Sequence, residues 1–306
     1  MLATKTEAKP FLKWAGGKRQ LLDQCEKHYP ALLKENKINR YIEPFVGGGA
    51  VFFELIKHYE FEEIILNDVN KELINTYKAV KNEVNEVINR LKEMEAVYLP
   101  LEIEKRKEIY YARRDNFNDE KKALDFSKFK KEHIEHAAKF IFINRTCFNG
   151  LYRQNKSGEF NVPIGSYKNP TICNEENLIA VSEALENVTL TSTDFENTEE
   201  YIEDQTFIYI DPPYRPLPGT KSFTKYARAD FNEESQKRLA NWAKKISKDA
   251  YFMLSNSNPK NTDPEDDFFE ELYSQFNISE VSAKRSINSN AAKRGEITEL
   301  LIKNYN

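Results

Sequence analysis

Cysteine is scarce in this 306-residue chain. Cys25, Cys147 and Cys173 are odd in number and lack Cys-x-x-Cys spacing, so neither a disulfide framework nor a zinc site is expected, and no metal ligands are assigned. Long apolar runs are missing too. No stretch suffices to cross a bilayer and the first ten residues carry no signal-peptide pattern, which points to a soluble, cytoplasmic protein with no membrane partner. The formal charge is only −4, and sequence-independent affinity for polyanions comes from excess cationic side chains. General polyanion binding is therefore disfavoured. Glycine is absent between Gly49 and Gly150, a span rich in Lys and Glu with helical periodicity, which predicts several helices without evident chemistry.

The length fits one large domain or two ordinary ones, and 20 Phe with 16 Tyr supply many flat faces for packing or stacking. Basic residues gather at Arg113-Arg114, Lys128 to Lys131, Arg145 to Lys168, Lys284-Arg285 and Lys293-Arg294, while acids collect at Glu196 to Asp204 and Asp263 to Glu271. Such asymmetry permits DNA binding on one face, although any single cluster also suits a solvated helix surface.

The most informative stretch is Phe207 to Tyr214, Phe-Ile-Tyr-Ile-Asp-Pro-Pro-Tyr. Its apolar run reads as a buried strand, and two prolines without backbone donors must end it. Asp211 and Tyr214 are thereby delivered to the C-terminal edge of a sheet, where open α/β folds bind ligands. A carboxylate, a prolyl carbonyl and an aromatic face suit one reaction in particular. The exocyclic amine of adenine has a delocalised lone pair. Two acceptors for its N–H groups would draw the nitrogen toward tetrahedral geometry, ready for in-line attack on a sulfonium methyl, while a ring stacks on the extruded base. A plain turn after a strand uses the same Asp-Pro and Pro-Pro signals.

Earlier in the chain, Gly16-Gly17 beside Trp14, Lys13 and Lys18 forms a bend able to approach an anionic ligand, or a simple helix entry before an amphipathic run from Gln20 to Leu33. A strand from Arg40 to Val46 runs into Gly47-Gly48-Gly49 and then a helix, the order that binds nucleotide-like groups. Position 52 is Phe, so the dinucleotide spacing G-x-G-x-x-G is unmet, and a smaller adenosine-type ligand is favoured over a pyrophosphate. Asp68 ends the next strand, Glu63 to Leu66, where Rossmann-type sheets present an acid to ribose; a helix N-cap is its other reading. From Phe142 to Pro163 the chain is dense in Asn, Arg and aromatics, with Lys156-Ser157-Gly158 as a hairpin tip. Asn and Arg match purine edges and Phe or Tyr can wedge between bases, but a polar loop packed by its own aromatics would look similar. Cys147 has no neighbouring base to activate it.

Val188 to Phe195 reads as a strand ending in Asp194 and Phe195, an acid and a ring suited to adenine. Beyond Tyr214, Arg215 to Arg228 resembles a lid with Phe223 and Tyr226 available, a helix is expected from Asn232 to Lys245 with Asp230 as a possible cap, and strands at Tyr251 to Leu254 and Glu296 to Lys303 complete the sheet. Ser286 to Arg294 is a basic connection able to touch phosphates.

The ordered set Phe11 to Lys18, Glu43 to Gly49, the hairpin at 144–165 and Asp211 to Tyr214 resembles the Dam-type, D12 class DNA adenine-N6 methyltransferases, in the alpha arrangement, over nearly the whole chain. The resemblance implies an α/β fold: the Rossmann-like class I methyltransferase sheet, with an inserted helical target-recognition domain carrying a β-hairpin. It divides the chain into a discontinuous catalytic domain, 1–72 and 178–306, and a recognition domain, 73–177. It implies S-adenosyl-L-methionine as methyl donor, held by residues matching Trp14, Lys18, Glu43, Pro44, Phe45, Gly47, Gly49, Asp68, Asp194, Phe195 and Asp211. Asp211, Pro212, Pro213 and Tyr214 match the catalytic motif. Lys13, Phe148, Asn149, Leu151, Arg153, Asn155 and Pro163 match DNA-contacting positions in relatives that methylate GATC, although Cys147 and Phe148 stand where other members carry Gly and Tyr. The expected partner is duplex DNA, with a cognate restriction endonuclease acting separately and the enzyme working as a monomer. Cytosine-N4 methylation, RNA adenine-N6 methylation and a non-catalytic DNA-binding module are the alternatives. Cytosine-C5 chemistry needs a cysteine nucleophile near a proline, and none of the three cysteines follows one.

Overall fold

The structure, a computed structural model, describes residues 6–14, 16, 21–215, 231–282 and 298–306 in full, and the backbone alone at 283–284 and 296–297. Lys18, the loop holding Phe223 and Tyr226, Asp230 and the connection from Ser286 to Arg294 lie outside the described residues. In chain order the elements are α1 (Leu22–Lys27), α2 (Ala31–Lys34), β1 (Arg40–Glu43), α3 (Ala50–His58), β2 (Glu63–Asn67), α4 (Lys71–Tyr98), α5 (Ile103–Ala123), α6 (Glu132–Thr146), α7 (Glu175–Ala184), β3 (Val188–Thr191), β4 (Thr206–Ile210), α8 (Glu233–Ile246), β5 (Ala250–Ser257), α9 (Phe268–Leu272), β6 (Asn277–Lys284) and β7 (Glu296–Lys303).

Two compact units divide the chain. The first holds residues 1–17, 47–53 and 68–192, the second 18–46, 54–67 and 193–306. In the second unit six strands form a sheet in the order β2-β1-β4-β5-β7-β6, while β3 belongs to the first unit. β2, β1, β4 and β5 run parallel, whereas β7 is antiparallel to both β5 and β6. Burial on both faces explains why β4 reads as an unbroken apolar run: all five of its residues are buried. Its Ile208 and Ile210 join Leu239, Trp242 and Ala243 of α8 and Phe252 and Leu254 of β5 in one core.

Local chemistry sets several boundaries. Pro30 breaks the amphipathic run after Gln20 into α1 and α2, because it cannot donate into a continuing helix. β1 stops at Glu43, before Pro44, instead of reaching Val46. Asn232 caps α8, accepting from the Ser235 N–H at 3.0 Å. β6 is a strand that the sequence reading did not anticipate; among the described residues it pairs only with β7, at the sheet edge, and its mixed sequence Asn-Ile-Ser-Glu-Val-Ser-Ala-Lys lacks the apolar run of an inner strand.

The first unit contains the glycine-free helical stretch. α4 runs for 28 residues, capped by the Asn70 side chain and bent at Glu83, and packs on α6, whose residues are almost all buried. The hairpin tip falls at Asn155 to Gly158, where Gly158 takes φ +77°. Its arms carry isolated antiparallel bridges, Cys147 with Ile164 and Gln154 with Phe160, rather than a continuous ladder. α5 braces this arm from its other side: Asn118 bonds both the N–H and the carbonyl of Phe160 (2.8 and 3.0 Å), the groups that point away from the facing arm at the Gln154 bridge.

Candidate active site

In the second unit β4 feeds directly into Asp211. Asp211 Oδ1 accepts from the Ser255 hydroxyl at 3.0 Å, and the Ser255 oxygen accepts from the Tyr209 hydroxyl at 3.2 Å. The Pro213 carbonyl accepts from Gln236 Nε2 at 3.0 Å, and Gln236 Oε1 accepts from Asn256 Nδ2 at 3.2 Å. Tyr214 donates its hydroxyl to Glu299 Oε2 of β7 at 2.5 Å. Asp211, Pro213 and Tyr214 are thus each tied to a different neighbouring element, with the buried Pro212 between them. Rigid support of this kind lets a short segment hold a reacting group in one orientation.

The same unit places Glu43 at the buried end of β1, where it accepts from the Tyr41 hydroxyl at 3.0 Å. Next to it, the Pro44 carbonyl accepts from Asn67 Nδ2 (3.0 Å), and Asn67 Oδ1 in turn accepts from the Thr193 N–H (3.0 Å). A fully buried amide thereby pins the residues after β1 to the turn preceding Asp194. The Phe45 and Phe195 rings pack at 5.4 Å, Arg238 lies over Phe195 at 4.5 Å, and the Asp194 carboxylate accepts from both Arg238 (2.6 Å) and the Glu196 N–H (3.1 Å).

In the first unit Trp14, Gly47, Gly49 and Asp68 come together. Gly47 sits at φ +49°, and a Cβ there would lie 2.8 Å from the Trp14 ring; Gly49, at φ +69°, would place one 2.8 Å from the Tyr77 oxygen. Glycine is required at both positions for conformation and for space. Tyr77 donates to the Gly47 carbonyl at 3.2 Å. Asp68 Oδ2 accepts from the Gly47 N–H (3.1 Å) and Oδ1 from the Asn70 N–H (2.9 Å). Burial nevertheless raises its pKa from 3.8 to about 6, outweighing the two amides that favour the charged form. The helix cap is Asn70, so the cap reading of Asp68 does not hold.

The profile of the D12 class N6 adenine-specific DNA methyltransferases matches residues 14–287. The chain belongs to this family. The methyltransferase is 51% identical over 301 residues to the Type II methyltransferase M.MjaIII of Methanocaldococcus jannaschii, covering 98% of this chain and 100% of that one. It is 36% identical over 305 residues to the DNA adenine methylase of Haemophilus influenzae (98% and 95% covered) and 33% identical over 292 residues to that of Escherichia coli K12 (95% and 93%).

The methyltransferase's hairpin lies wholly in its first unit. Phe148, Asn149 and Pro163 are exposed side by side, joined by a bond from the Phe148 N–H to the Pro163 carbonyl at 2.8 Å, and Asn149 takes a left-handed φ of 54°. Lys13 lies with its ammonium 3.9 Å from the Tyr167 ring centre, and its backbone is clasped by Asn144, which accepts from its N–H and donates to its carbonyl, both at 2.8 Å. Arg153 is oriented by Asn161, donating through Nε to Oδ1 (2.6 Å) and through a terminal nitrogen to the backbone carbonyl (3.0 Å). Leu151 is half-buried, and its carbonyl accepts from the Cys147 thiol at 3.3 Å. Asn155 organises the tip, its Oδ1 accepting from the Ser157 and Glu159 amides at 3.0 and 2.9 Å. Trp14 also stacks on Tyr152 at 5.2 Å. Cys147 is fully buried, and that burial pushes its thiol up to about 12. A thiol held protonated at neutral pH is no nucleophile.

Sequence reasoning missed Asn67, Gln236, Ser255, Asn256, Asn161 and Glu299. One signal was available for Ser255 and Asn256: they begin the polar run Ser-Asn-Ser-Asn that ends the apolar start of β5.

Proposed function

We propose that this DNA adenine methyltransferase transfers a methyl group from S-adenosyl-L-methionine to N6 of the adenine in GATC within duplex DNA, acting on a base rotated out of the helix. When bound, the donor supplies an electrophilic methyl group on sulfonium. In the first unit, Trp14 offers a ring, the Gly47 to Gly49 turn a close backbone approach, and Asp68 a carboxylate suited to ribose hydroxyls. The resemblance assigns Lys18, Glu43, Pro44, Phe45, Asp194, Phe195 and Asp211 to the same ligand. The residues present fit an adenosine-type donor.

The observation that carries the reading is the separate anchoring of the motif at 211–214. Ser255 holds one oxygen of Asp211, Gln236 occupies the Pro213 carbonyl, and Glu299 fixes the Tyr214 hydroxyl. In the reaction, the Asp211 carboxylate and the Pro212 carbonyl accept from the adenine amine and localise its lone pair, and the Tyr214 ring stacks on the base. Transfer is direct and needs no covalent enzyme intermediate. Residues 73–177 form the recognition domain, in which Phe148 acts as a wedge while Asn149, Leu151, Arg153, Asn155 and Pro163 contact the target, and Lys13 adds a base contact from the catalytic segment 1–72. The name of one relative, the Type II methyltransferase M.MjaIII, supports pairing with a restriction endonuclease that cuts the same sequence.

The test is transfer of labelled methyl groups to duplexes with and without GATC, followed by nucleoside analysis. N6-methyladenine confined to GATC duplexes is expected, with transfer abolished and DNA binding kept in Asp211→Ala. N4-methylcytosine as product, or equal labelling of duplexes lacking GATC, would overturn the reading.

A further inference from the structure

In the first unit a small, partly open cleft of about 20 Å³ is lined by Lys71, Lys78, Lys128, His133 and Ser192, none of which has been assigned to catalysis, to the methyl donor or to base contact. Lys71 and Lys78 stand two turns apart on one face of α4, Lys128 comes from the connection between α5 and α6, His133 from the first turn of α6, and Ser192 from the residue after β3. Among the described residues none of these lysines has a carboxylate within 4 Å. The nearby acids are engaged elsewhere. Glu72 pairs with Lys121, Glu132 with Lys130 at 3.7 Å, and Asp125 accepts from the Ser127 N–H and hydroxyl at 3.0 and 2.9 Å.

One further donor points to a missing acceptor. His133 is fully buried, and its Nδ1 accepts from the Lys130 N–H at 2.8 Å, which leaves the ring proton on Nε2. That proton is directed to the Asp125 backbone, whereas the Ser192 hydroxyl is buried without a hydrogen-bond partner. The imidazole is not free to swing away, since the Phe126 and Phe129 rings, which also line the cleft, pack on it at 5.5 and 5.9 Å. Burial also lowers the pKa of Lys78, a cost that a bound anion would offset. Three lysines without a paired carboxylate, lining one cleft with an unpaired buried hydroxyl, form an environment complementary to a group with several anionic oxygens.

We propose that this cleft binds a phosphate group, taken from the backbone of substrate DNA away from the target base or from a free phosphate-bearing small molecule. The site is independent of the residues assigned to methyl transfer, so its failure would leave the proposed reaction standing. The test compares wild type with Lys78→Gln/Lys128→Gln, using Lys237→Gln/Lys244→Gln on α8 as a control with the same charge change. Thermal unfolding in inorganic phosphate against chloride at matched ionic strength is the first measurement, and the salt dependence of duplex binding is the second. Wild type and control are expected to gain stability in phosphate, and the cleft variant to lose that gain. A slope of log K against log salt shallower by about one in the cleft variant alone would identify the source as a DNA phosphate. An unchanged slope with the phosphate response lost would identify a free phosphate compound. Cleft variant and control behaving alike in both measurements would overturn the proposal.

Discussion

Asp68 makes the proposed methyl-donor site sensitive to acid in a range where little else in that ligand titrates. Its carboxyl, raised to about 6, is almost wholly ionised at pH 7.5 and mostly protonated at pH 5. If only the carboxylate accepts from the ribose hydroxyls, the competent fraction falls from roughly 97% to about 9% between those values, and the apparent Kd for the donor rises about tenfold. The slope approaches tenfold per pH unit once the pH is well below 6. Stability moves the other way. The folded-state pKa lies above the ordinary 3.8, so the native protein binds this proton more tightly than the unfolded chain. The cost of ionising Asp68 is therefore felt above about pH 6 and is relieved as pH falls from 6 toward 4. Calorimetric titration of an unreactive donor analogue between pH 5 and pH 8, on wild type and Asp68→Asn, separates the two effects. Wild-type affinity is expected to drop on the acid side with a midpoint near 6, and Asp68→Asn to be uniformly weak and flat. A flat wild-type profile, or a drop retained in Asp68→Asn, would refute the reasoning.

Gln236→Met should lower kcat at least tenfold with little change in donor Kd, because it leaves the Pro213 carbonyl and the Asn256 amide without partners at a cost of about 1–3 kcal/mol each and lets the motif shift. Steady-state kinetics beside a thermal melt decides the matter: a lower Tm with unchanged kcat would make Gln236 a purely structural residue. Arg153→Ala should relax base preference more than it weakens overall affinity, by about 1–3 kcal/mol of discrimination at one position of the site. Asn161→Ala should reproduce part of that loss, since Asn161 orients the guanidinium. Methylation of duplexes carrying every single-base change in GATC measures both effects, and a uniform loss on all sequences would remove Arg153 from base reading.

The features legible in the sequence were those encoded by neighbours in the chain. The apolar run ended by Pro212 and Pro213 fixed both β4 and the place of Asp211, and the glycine turn after β1 announced itself by composition. Partners supplied from elsewhere were illegible. Gln236 lies on α8 and Glu299 on β7, and an amide or a carboxylate on an amphipathic element carries no mark of facing inward. β6 was hidden for a related reason, because an edge strand partly facing water need not be apolar.

Some of the missed residues do share a readable pattern. The parallel strands β1, β2 and β4 end at Glu43, at Asn67 and just before Asp211, and β5 turns polar at Ser255 and Asn256. Glu43, Asn67, Ser255 and Asn256 are nearly or fully buried. Polar side chains so placed are costly unless bonded. The bonds they make fall on the Tyr41 hydroxyl, the Pro44 carbonyl, Asp211 and Gln236 respectively, all of them at, or directly supporting, the strand ends where open α/β sheets bind ligands. A polar residue closing a buried apolar run can thus be read as support for a site even when its partner lies far away in the chain. Applied to β2, that rule separates Asn67 from its neighbour: Asn67 braces the turns within the second unit, while Asp68 presents the titratable carboxylate in the first.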